Sequence, residues 1–184
     1  MSENTRFMSK MRYINEIMGC ACFPDLLELK VFPNAKEITE SSAVFNYLRY
    51  KKLFAFDDPD VTFVCVGDGS TPRTAAMFAF RTSWNCISVD PEMNFENNGR
   101  VRRLECIKSK VEDVSGGHYK KLVIAHVHSH AKIDETLKKF SGDEMVVVSM
   151  PCCVRQFISG KEPTETVVDK SVWSPKNKLV VWAT

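Results

Sequence analysis

Two glycines and one acid in the middle of the chain have the spacing of a site that binds a nucleoside. Gly67 and Gly69 follow the apolar run 61–66, and Asp90 ends the next apolar run. Glycine lets the backbone turn sharply after a strand and come close to a ligand, and a helix expected at residues 74–81 would point its N-terminus at the same place. A carboxylate at the tip of the second strand can accept hydrogen bonds from ribose hydroxyls. The pattern therefore predicts the front half of a nucleotide-binding βαβ unit.

A second set of reactive side chains, histidines and cysteines, lies later in the chain. His126, His128 and His130 alternate, so on an extended strand all three would point to one face, with Cys152 or Cys153 as a further metal ligand. We expect the segment to bend out of its strand before the second histidine, which would separate the three rings. The interpretation that we adopt therefore has no bound metal.

His128 and His130 are the candidate catalytic residues. Both follow the end of a predicted strand, and ligands of open α/β sheets bind at the carboxyl ends of the strands. His126 lies within the strand itself, and we expect it to pack beneath the edge of the sheet.

The elements that must position these residues follow from the apolar pattern. Short β-branched runs predict a third, a fourth and a fifth strand, at residues 103–107, 121–127 and 144–150. Between the fourth and fifth strands, residues 133–140 have the spacing of an amphipathic helix that stops at Gly142. Two further apolar runs, 165–173 and 178–182, predict a hairpin at the end of the chain.

Two common ways of binding a diphosphate are disfavoured by the residues around the glycine turn. Pro72 and Arg73 stand where the third glycine and the helix start of a dinucleotide site would be, so an NAD-dependent enzyme loses support. No Gly-Lys-Ser or Gly-Lys-Thr follows the turn, which argues against a phosphate-binding loop of the Walker type. A nucleoside with a small polar appendage remains.

The glycine turn, the distal acid and the closing hairpin together resemble the class I S-adenosylmethionine-dependent methyltransferases. The resemblance covers residues 61–184 and implies an α/β fold, a three-layer Rossmann-like sandwich. Its seven-stranded mixed sheet would have the order 3-2-1-4-5-7-6, with an antiparallel terminal hairpin. It also implies that the cofactor is S-adenosyl-L-methionine.

The resemblance assigns the cofactor to particular residues. In that family the glycine turn, here Gly67, Asp68, Gly69 and Ser70, passes the methionine part of the cofactor, and the acid at the position of Asp90 holds the ribose.

Two acids of the family pattern are missing. Cys65 stands where an acid commonly precedes the turn, and no acid follows the third strand directly. Glu112 or Asp113, slightly later, would have to contact the adenine.

A narrower resemblance is to methyltransferase-like proteins with a Pro-Cys-Cys motif after strand five, among them a tRNA ribose methyltransferase family. His128 matches a histidine of that group, while His130 falls where the group has a cysteine. This likeness implies that Pro151, Cys152 and Cys153 lie on the substrate side of the pocket. The alternative is a structural turn with packed thiols.

Residues 1–60 are predicted to form helices that pack on the core at residues 61–184, and we call this N-terminal segment the helical preface. We predict one helix at residues 6–18 and a second that is capped by Ser41 or Ser42. In methyltransferases such helices often cover the cofactor or shape the substrate side; alternatively, they only plug the edge of the sheet.

Composition sets broad limits. The chain has 184 residues, 44% of them hydrophobic, which suits one domain with a sizeable core. Its formal net charge of +2 excludes neither a nucleic-acid binder nor a small-molecule enzyme, and it carries no strong signal for DNA binding. No signal peptide or long apolar run is present, and the cysteines number seven, so we expect a reduced cytoplasmic protein that does not enter a membrane.

Three functions remain open at this point. The first is a methyltransferase with an unidentified acceptor; RNA is one candidate, because basic residues are dense between strands three and four. The second is a degenerate member of the fold that binds a cofactor or a partner without transferring a methyl group. The third, an NAD-dependent or other nucleotide enzyme, is disfavoured by the glycine pattern and the terminal hairpin.

Overall fold

A mixed sheet forms the centre of the protein. The computed structural model describes residues 3–97 and 99–183, with side chains from Lys10 onward. Its strands are β1 (Val61–Val66), β2 (Asn85–Val89), β3 (Leu104–Ile107), β4 (Gly117–Val127), β5 (Phe140–Met150), β6 (Glu165–Val168) and β7 (Lys178–Ala183). The order is β3-β2-β1-β4-β5-β7-β6, with β1 to β5 parallel and β7 antiparallel to both of its neighbours. The predicted strand order and the terminal hairpin are confirmed.

The central strands are buried on both faces, which explains their continuous apolar sequences. Every residue of β1 is buried. Phe63 and Cys65 pack into one hydrophobic cluster, whereas Val64 and Val66 pack into another on the opposite face. A parallel sheet needs cover on both sides, so its strands lack the polar alternation of a half-exposed sheet.

The two faces of the sheet are covered unequally. The first four helices, α1 (Glu3–Met18), α2 (Phe23–Glu28), α3 (Ala35–Lys51) and α4 (Arg73–Arg81), contribute to the Phe63 cluster. The Val64 cluster instead receives side chains from the single-turn segment Val111–Asp113 and from α5 (Ile133–Lys139). None of the helices in the described ranges is both long and apolar enough to cross a bilayer.

The helical preface differs in detail from the prediction. α2 was not predicted, and α3 begins six residues before the expected cap, because the side chain of Asn34 accepts a hydrogen bond from Glu37 N at 3.1 Å. Ser41 and Ser42 are buried inside α3, and Ser41 Oγ lies 3.0 Å from Thr74 Oγ1 of α4. The prediction of a serine cap was wrong because tertiary packing, rather than a helix start, explains these polar residues.

Two other boundaries also shift. α5 passes directly into β5 at Phe140, so Gly142 lies within a strand and does not stop the helix. β6 ends at Val168 because Asp169 accepts a hydrogen bond from Ser171 N at 2.8 Å and turns the chain.

His126 is buried under α5, as expected. Its ring nitrogen Nε2 lies 3.0 Å from Thr136 Oγ1, and the residue has no solvent exposure. Burial disfavours the charged imidazolium and lowers the pKa of His126 to about 4. This histidine is therefore neutral in the folded protein at neutral pH.

We predict that His126 makes the protein sensitive to mild acid. Between about pH 6.5 and 4 the unfolded chain binds a proton at this residue that the folded chain does not, so the free energy of unfolding falls as the pH is lowered. The loss through His126 should reach about 3 kcal/mol at the low end of this window. Urea unfolding as a function of pH should show a shallower loss for His126→Gln than for the parent. The exposed His118→Gln variant is the control, and equal slopes for the parent and His126→Gln would contradict this assignment.

Candidate functional site

Part of the predicted site comes together where β1, β2 and β4 end. A cavity of about 450 Å³ opens at this edge of the sheet. From β1 the sheet continues through β2 and β3 on one side, and from β4 it continues through β5 on the other side. Ligands of open α/β sheets usually bind at such a switch point, between the two neighbouring strands where the order changes direction. Five of the sequence-predicted residues line the cavity: Gly67, Asp90, Glu112, His128 and His130.

Gly67 is required by a close approach of protein backbone. Its φ is +76°, in the left-handed region. An added Cβ would lie 2.3 Å from Ser129 Oγ and 2.9 Å from Ser129 Cα. A methyl group here would therefore displace the loop after β4, so this glycine makes room for that loop as well as bordering the cavity.

Asp90 is held firmly at the rim of the cavity. Its Oδ2 accepts a hydrogen bond from Gly69 N at 2.8 Å, and its Oδ1 accepts one from Glu92 N at 2.7 Å. Only 8% of the residue is exposed. The glycine turn and the acid of β2 thus form one connected unit, although the sequence separates them by the whole of α4.

Asp68 is turned into the protein. Its carboxylate accepts hydrogen bonds from Thr74 N at 2.9 Å, Ala75 N at 3.1 Å and Ser88 Oγ at 3.0 Å. Pro72, which precedes α4, provides no side-chain cap, so Asp68 satisfies the free N–H groups at the start of that helix. The carboxylate therefore serves the helix, and Asp68 does not line the cavity.

Of the other predicted cofactor-binding residues, some line the cavity and some do not. Gly69 reaches the site only through its bond to Asp90, and Ser70 is exposed, with its carbonyl accepting from Asn94 N at 2.8 Å. Glu112 lines the cavity, whereas its neighbour Asp113 does not.

Glu40 is a site residue that the sequence reading missed. It lies on α3 and is only 1% exposed, yet its Oε1 is 2.9 Å from His128 Nε2 and 3.0 Å from Lys36 Nζ. The contact with His128 has the distance of an ion pair but not the angle of a good hydrogen bond. Lys36 lies four residues before Glu40 on α3, which is the only local signal for this pair.

The environment of Glu40 keeps it ionised. Burial raises the pKa of the carboxyl, but the interactions with His128 and then with Lys36 outweigh burial and leave the pKa below its ordinary value. A carboxylate is therefore fixed beside His128 on the side of the ring that faces the preface.

The histidines separate at the end of β4. His128 has a φ of +54°, so the chain turns out of the strand directly after Val127, as expected. His126 consequently contacts α5 on one face of the sheet, while His128 contacts α3 on the other. His130 continues into the loop and reaches Cys153, with Nε2 3.3 Å from Sγ.

The Pro-Cys-Cys turn follows β5 and borders the same edge of the sheet. Cys152 Sγ lies 3.5 Å from the carbonyl oxygen of His128, and Pro151 and Cys152 are half-buried. Burial raises the pKa of Cys152, but the N–H groups of Cys153 and Val154 stabilise the thiolate and bring the pKa down to about 6. None of the three residues lines the 450 Å³ cavity. Cys153 instead contacts His130, which does line it.

Comparison with known proteins supports the fold. No protein-family model matches the chain, and no curated protein matches its sequence. Among solved structures, a point mutant of MtNAS in complex with S-adenosylmethionine is 13% identical over 97% of this chain and 72% of its own, with a TM-score of 0.56. MtNAS in complex with MTA and tNA is 12% identical over 96% of this chain and 70% of its own, with a TM-score of 0.53.

A third structure gives the same result. An S-adenosylmethionine-dependent methyltransferase of Leishmania major is 9% identical over 80% of this chain and 72% of its own, with a TM-score of 0.52. At these identities the likeness establishes the fold, which is the Rossmann-like fold of S-adenosylmethionine-dependent methyltransferases. The narrower likeness to Pro-Cys-Cys proteins stays a prediction.

We predict that Glu40→Gln destabilises the protein at neutral pH. The variant loses a buried carboxylate that accepts a hydrogen bond from Lys36 Nζ at 3.0 Å and lies 2.9 Å from His128 Nε2, and a hydrogen bond to a charged group contributes about 1.5 to 3 kcal/mol. Because folding lowers the pKa of Glu40, this stability is present above the ordinary pKa of glutamate and is lost as the pH falls through the lowered value.

Chemical unfolding at several pH values tests this directly. The difference between parent and Glu40→Gln should be largest near pH 7 and should shrink only below about pH 4.5. Glu28→Gln, an exposed change on α2, is the control. A Glu40→Gln protein as stable as the parent at pH 7 would show that the contact with His128 contributes nothing.

Proposed function

We propose that the chain is an S-adenosylmethionine-dependent methyltransferase, with the cofactor in the 450 Å³ cavity at the ends of β1, β2 and β4. The observation that carries the proposal is the pairing of Asp90 with the N–H of Gly69 at 2.8 Å. It puts an acid beside a glycine turn at the switch point of the strand order, which is where a nucleoside ribose binds in this architecture.

The residues present suit this cofactor in size and in donor chemistry. Ligand pockets span about 300 to 1,000 Å³, so the cavity is large enough for a nucleoside with an amino-acid appendage. Each oxygen of Asp90 accepts one backbone hydrogen bond, and a carboxylate oxygen has a second lone pair available for a ribose hydroxyl. Glu112, on the cavity wall, is the acid that we assign to the adenine amino group. The MtNAS mutant that shares the fold was crystallised with S-adenosylmethionine.

The contribution of the protein would be mainly positional. When bound, the cofactor supplies a methyl group that an electron-rich atom can attack. The cavity walls would hold the acceptor in line with that methyl and limit access of water, a proximity effect that needs few reactive side chains.

His128 is the residue that we assign to proton removal from the acceptor. It lines the cavity, and Glu40 on α3 fixes the position of its ring. An imidazole whose ring is oriented by a carboxylate can act as a general base. His130, which also borders the cavity, is the second catalytic candidate.

The alternative function, a degenerate member of the fold that does not transfer a methyl group, rests on one observation. Cys65, at the position of the missing acid, is fully buried in β1 and offers no carboxylate to a ligand. A protein that binds the cofactor but methylates nothing would fit this loss, so binding and transfer have to be measured separately.

RNA remains the acceptor hypothesis from the sequence, but three of the basic residues that suggested it, Lys120, Lys121 and Arg103, are engaged by protein groups. Lys120 pairs with Asp60, and Lys121 Nζ lies 2.7 Å from Asp58 Oδ2. Arg103 donates to the carbonyls of Ala79 and Thr82. These three cations are occupied by protein groups and do not form a free phosphate-binding row.

We predict that Asp90→Ala weakens binding of S-adenosylmethionine at least tenfold. Removal of charge-assisted acceptors costs about 1.5 to 3 kcal/mol each. Isothermal titration of parent, Asp90→Ala and the exposed control Asp57→Ala measures this, with circular dichroism to establish that each variant is folded. Unchanged affinity in folded Asp90→Ala would mean that the pocket has been misplaced. Titration with NAD should give no binding.

We predict that His128→Ala lowers turnover and leaves cofactor affinity nearly intact. A group that acts on the proton in the transition state affects the rate without contributing to ground-state binding of the cofactor. Transfer from methyl-labelled cofactor to an RNA pool, to a protein extract and to small-molecule extracts would identify the acceptor class for the parent. Binding without transfer to any of these would favour the degenerate alternative over catalysis.

A further inference from the structure

A compact group of potential metal ligands lies at the rim of the cavity and shares one residue, His130, with the site described above. Within the described residues this group consists of His130, Cys152 and Cys153. Their potential ligand atoms all lie within 4.8 Å of one another. Cys153 Sγ is 3.3 Å from His130 Nε2 and 3.6 Å from Cys152 Sγ. This set differs from the three-histidine site considered from the sequence, because His126 and His128 point elsewhere.

These separations are close to those around a tetrahedral zinc ion. With Zn–S bonds of about 2.3 Å and Zn–N bonds of about 2.0 Å, two sulfurs on one ion are about 3.8 Å apart, and a sulfur and a nitrogen about 3.5 Å. The two pairs that include Cys153 differ from these values by a few tenths of an ångström, and the third pair, His130 and Cys152, lies within 4.8 Å. Side-chain rotations would have to bring this third pair to the same separation to place all three atoms on one ion.

The backbone around the three residues is held in place by other contacts. β4 and β5 are adjacent parallel strands, and His128 N donates to Met150 O at 2.9 Å where they end. The buried side chain of Gln156 donates to the carbonyls of Ser129 and Ala131 at 3.0 and 2.9 Å. These two carbonyls flank His130, so a residue close to the cysteines holds the histidine loop against the cysteine turn.

The ligand types select the metal. Two thiolates and one imidazole are soft to borderline donors, which suit zinc and do not suit magnesium or calcium. Both cysteines would bind as thiolates and release their protons to the solvent. Adjacent cysteines do not form an easy structural disulfide, so both thiols stay available.

We propose that His130, Cys152 and Cys153 bind one zinc ion, with a fourth coordination position open. His130 and Cys153 are exposed, and His130 also borders the 450 Å³ cavity. Three protein ligands with one open position are the arrangement of zinc sites that bind water or a substrate atom. The inference does not depend on methyl transfer, because the ligand group would bind zinc whether or not the cavity holds a cofactor.

The test is zinc binding by the reduced full-length protein without S-adenosylmethionine. After removal of metal by a chelator and reconstitution with zinc, elemental analysis should give one zinc per chain. Cobalt should give a thiolate-to-cobalt charge-transfer band together with the visible bands of a tetrahedral ion. Competition with a chromogenic chelator gives the affinity, and the zinc-loaded protein should melt at a higher temperature because only the folded state brings His130 to the two cysteines.

Variants assign the ligands. Loss of an outer-shell partner typically costs about 10- to 100-fold in metal affinity, so loss of a direct ligand in His130→Ala, Cys152→Ser or Cys153→Ser should cost at least about 100-fold. His130 is exposed, so His130→Ala removes a ligand without opening a cavity in the core. His118→Ala and the double variant Cys20→Ser with Cys22→Ser are matched controls that should bind zinc as the parent does.

Two results would overturn the proposal. One is a folded, reduced parent that holds no more zinc after reconstitution than a buffer blank. The other is zinc content that persists in the Cys152 and Cys153 variants but falls in the Cys20 and Cys22 control.

Discussion

The turn of the backbone at His128 is the constraint on which the candidate site depends. A non-glycine residue with a φ of +54° costs roughly 1 to 2 kcal/mol, although histidine tolerates this region better than most residues. The conformation is supported on both sides: His128 N donates to Met150 O, and the ring is held by Glu40. Because the chain leaves the sheet here, His126 stays in the core, His128 reaches the preface and His130 reaches the cysteine turn.

The same turn explains why the first glycine of the motif cannot be replaced. Ser129, immediately after the turn, occupies the space that a side chain on Gly67 would need. The glycine turn after β1 and the loop after β4 therefore pack against each other. One side of the cavity is built from these two segments and the other from Asp90, which is itself tied to the glycine turn through Gly69.

One helix of the preface, α3, contacts residues of the candidate site. α3 supplies Glu40 to His128, and it also supplies Glu37, which pairs with Arg73 at the start of α4. Arg73 in turn donates from Nε to the carbonyl of Asp68 at 2.6 Å. One helix thus braces both the histidine after β4 and the turn after β1. This bracing favours the interpretation that the preface shapes the site over the interpretation that it only closes the edge of the sheet.

Local sequence indicated the positions of the strands and the place where β4 ends, because the burial of both sheet faces leaves a continuous apolar pattern. The order of the strands came from the resemblance to a known fold. The positions of Gly67 and Asp90 were readable for the same reason: backbone turns and strand tips are local features. Only the tertiary structure decided that Asp68 caps α4, that Glu40 faces His128, and that His130 meets Cys153. Each of these contacts joins side chains on different elements. Such pairs depend on how loops and helices cross the sheet edge, and hydrophobic periodicity along one element contains no information about a polar partner on another.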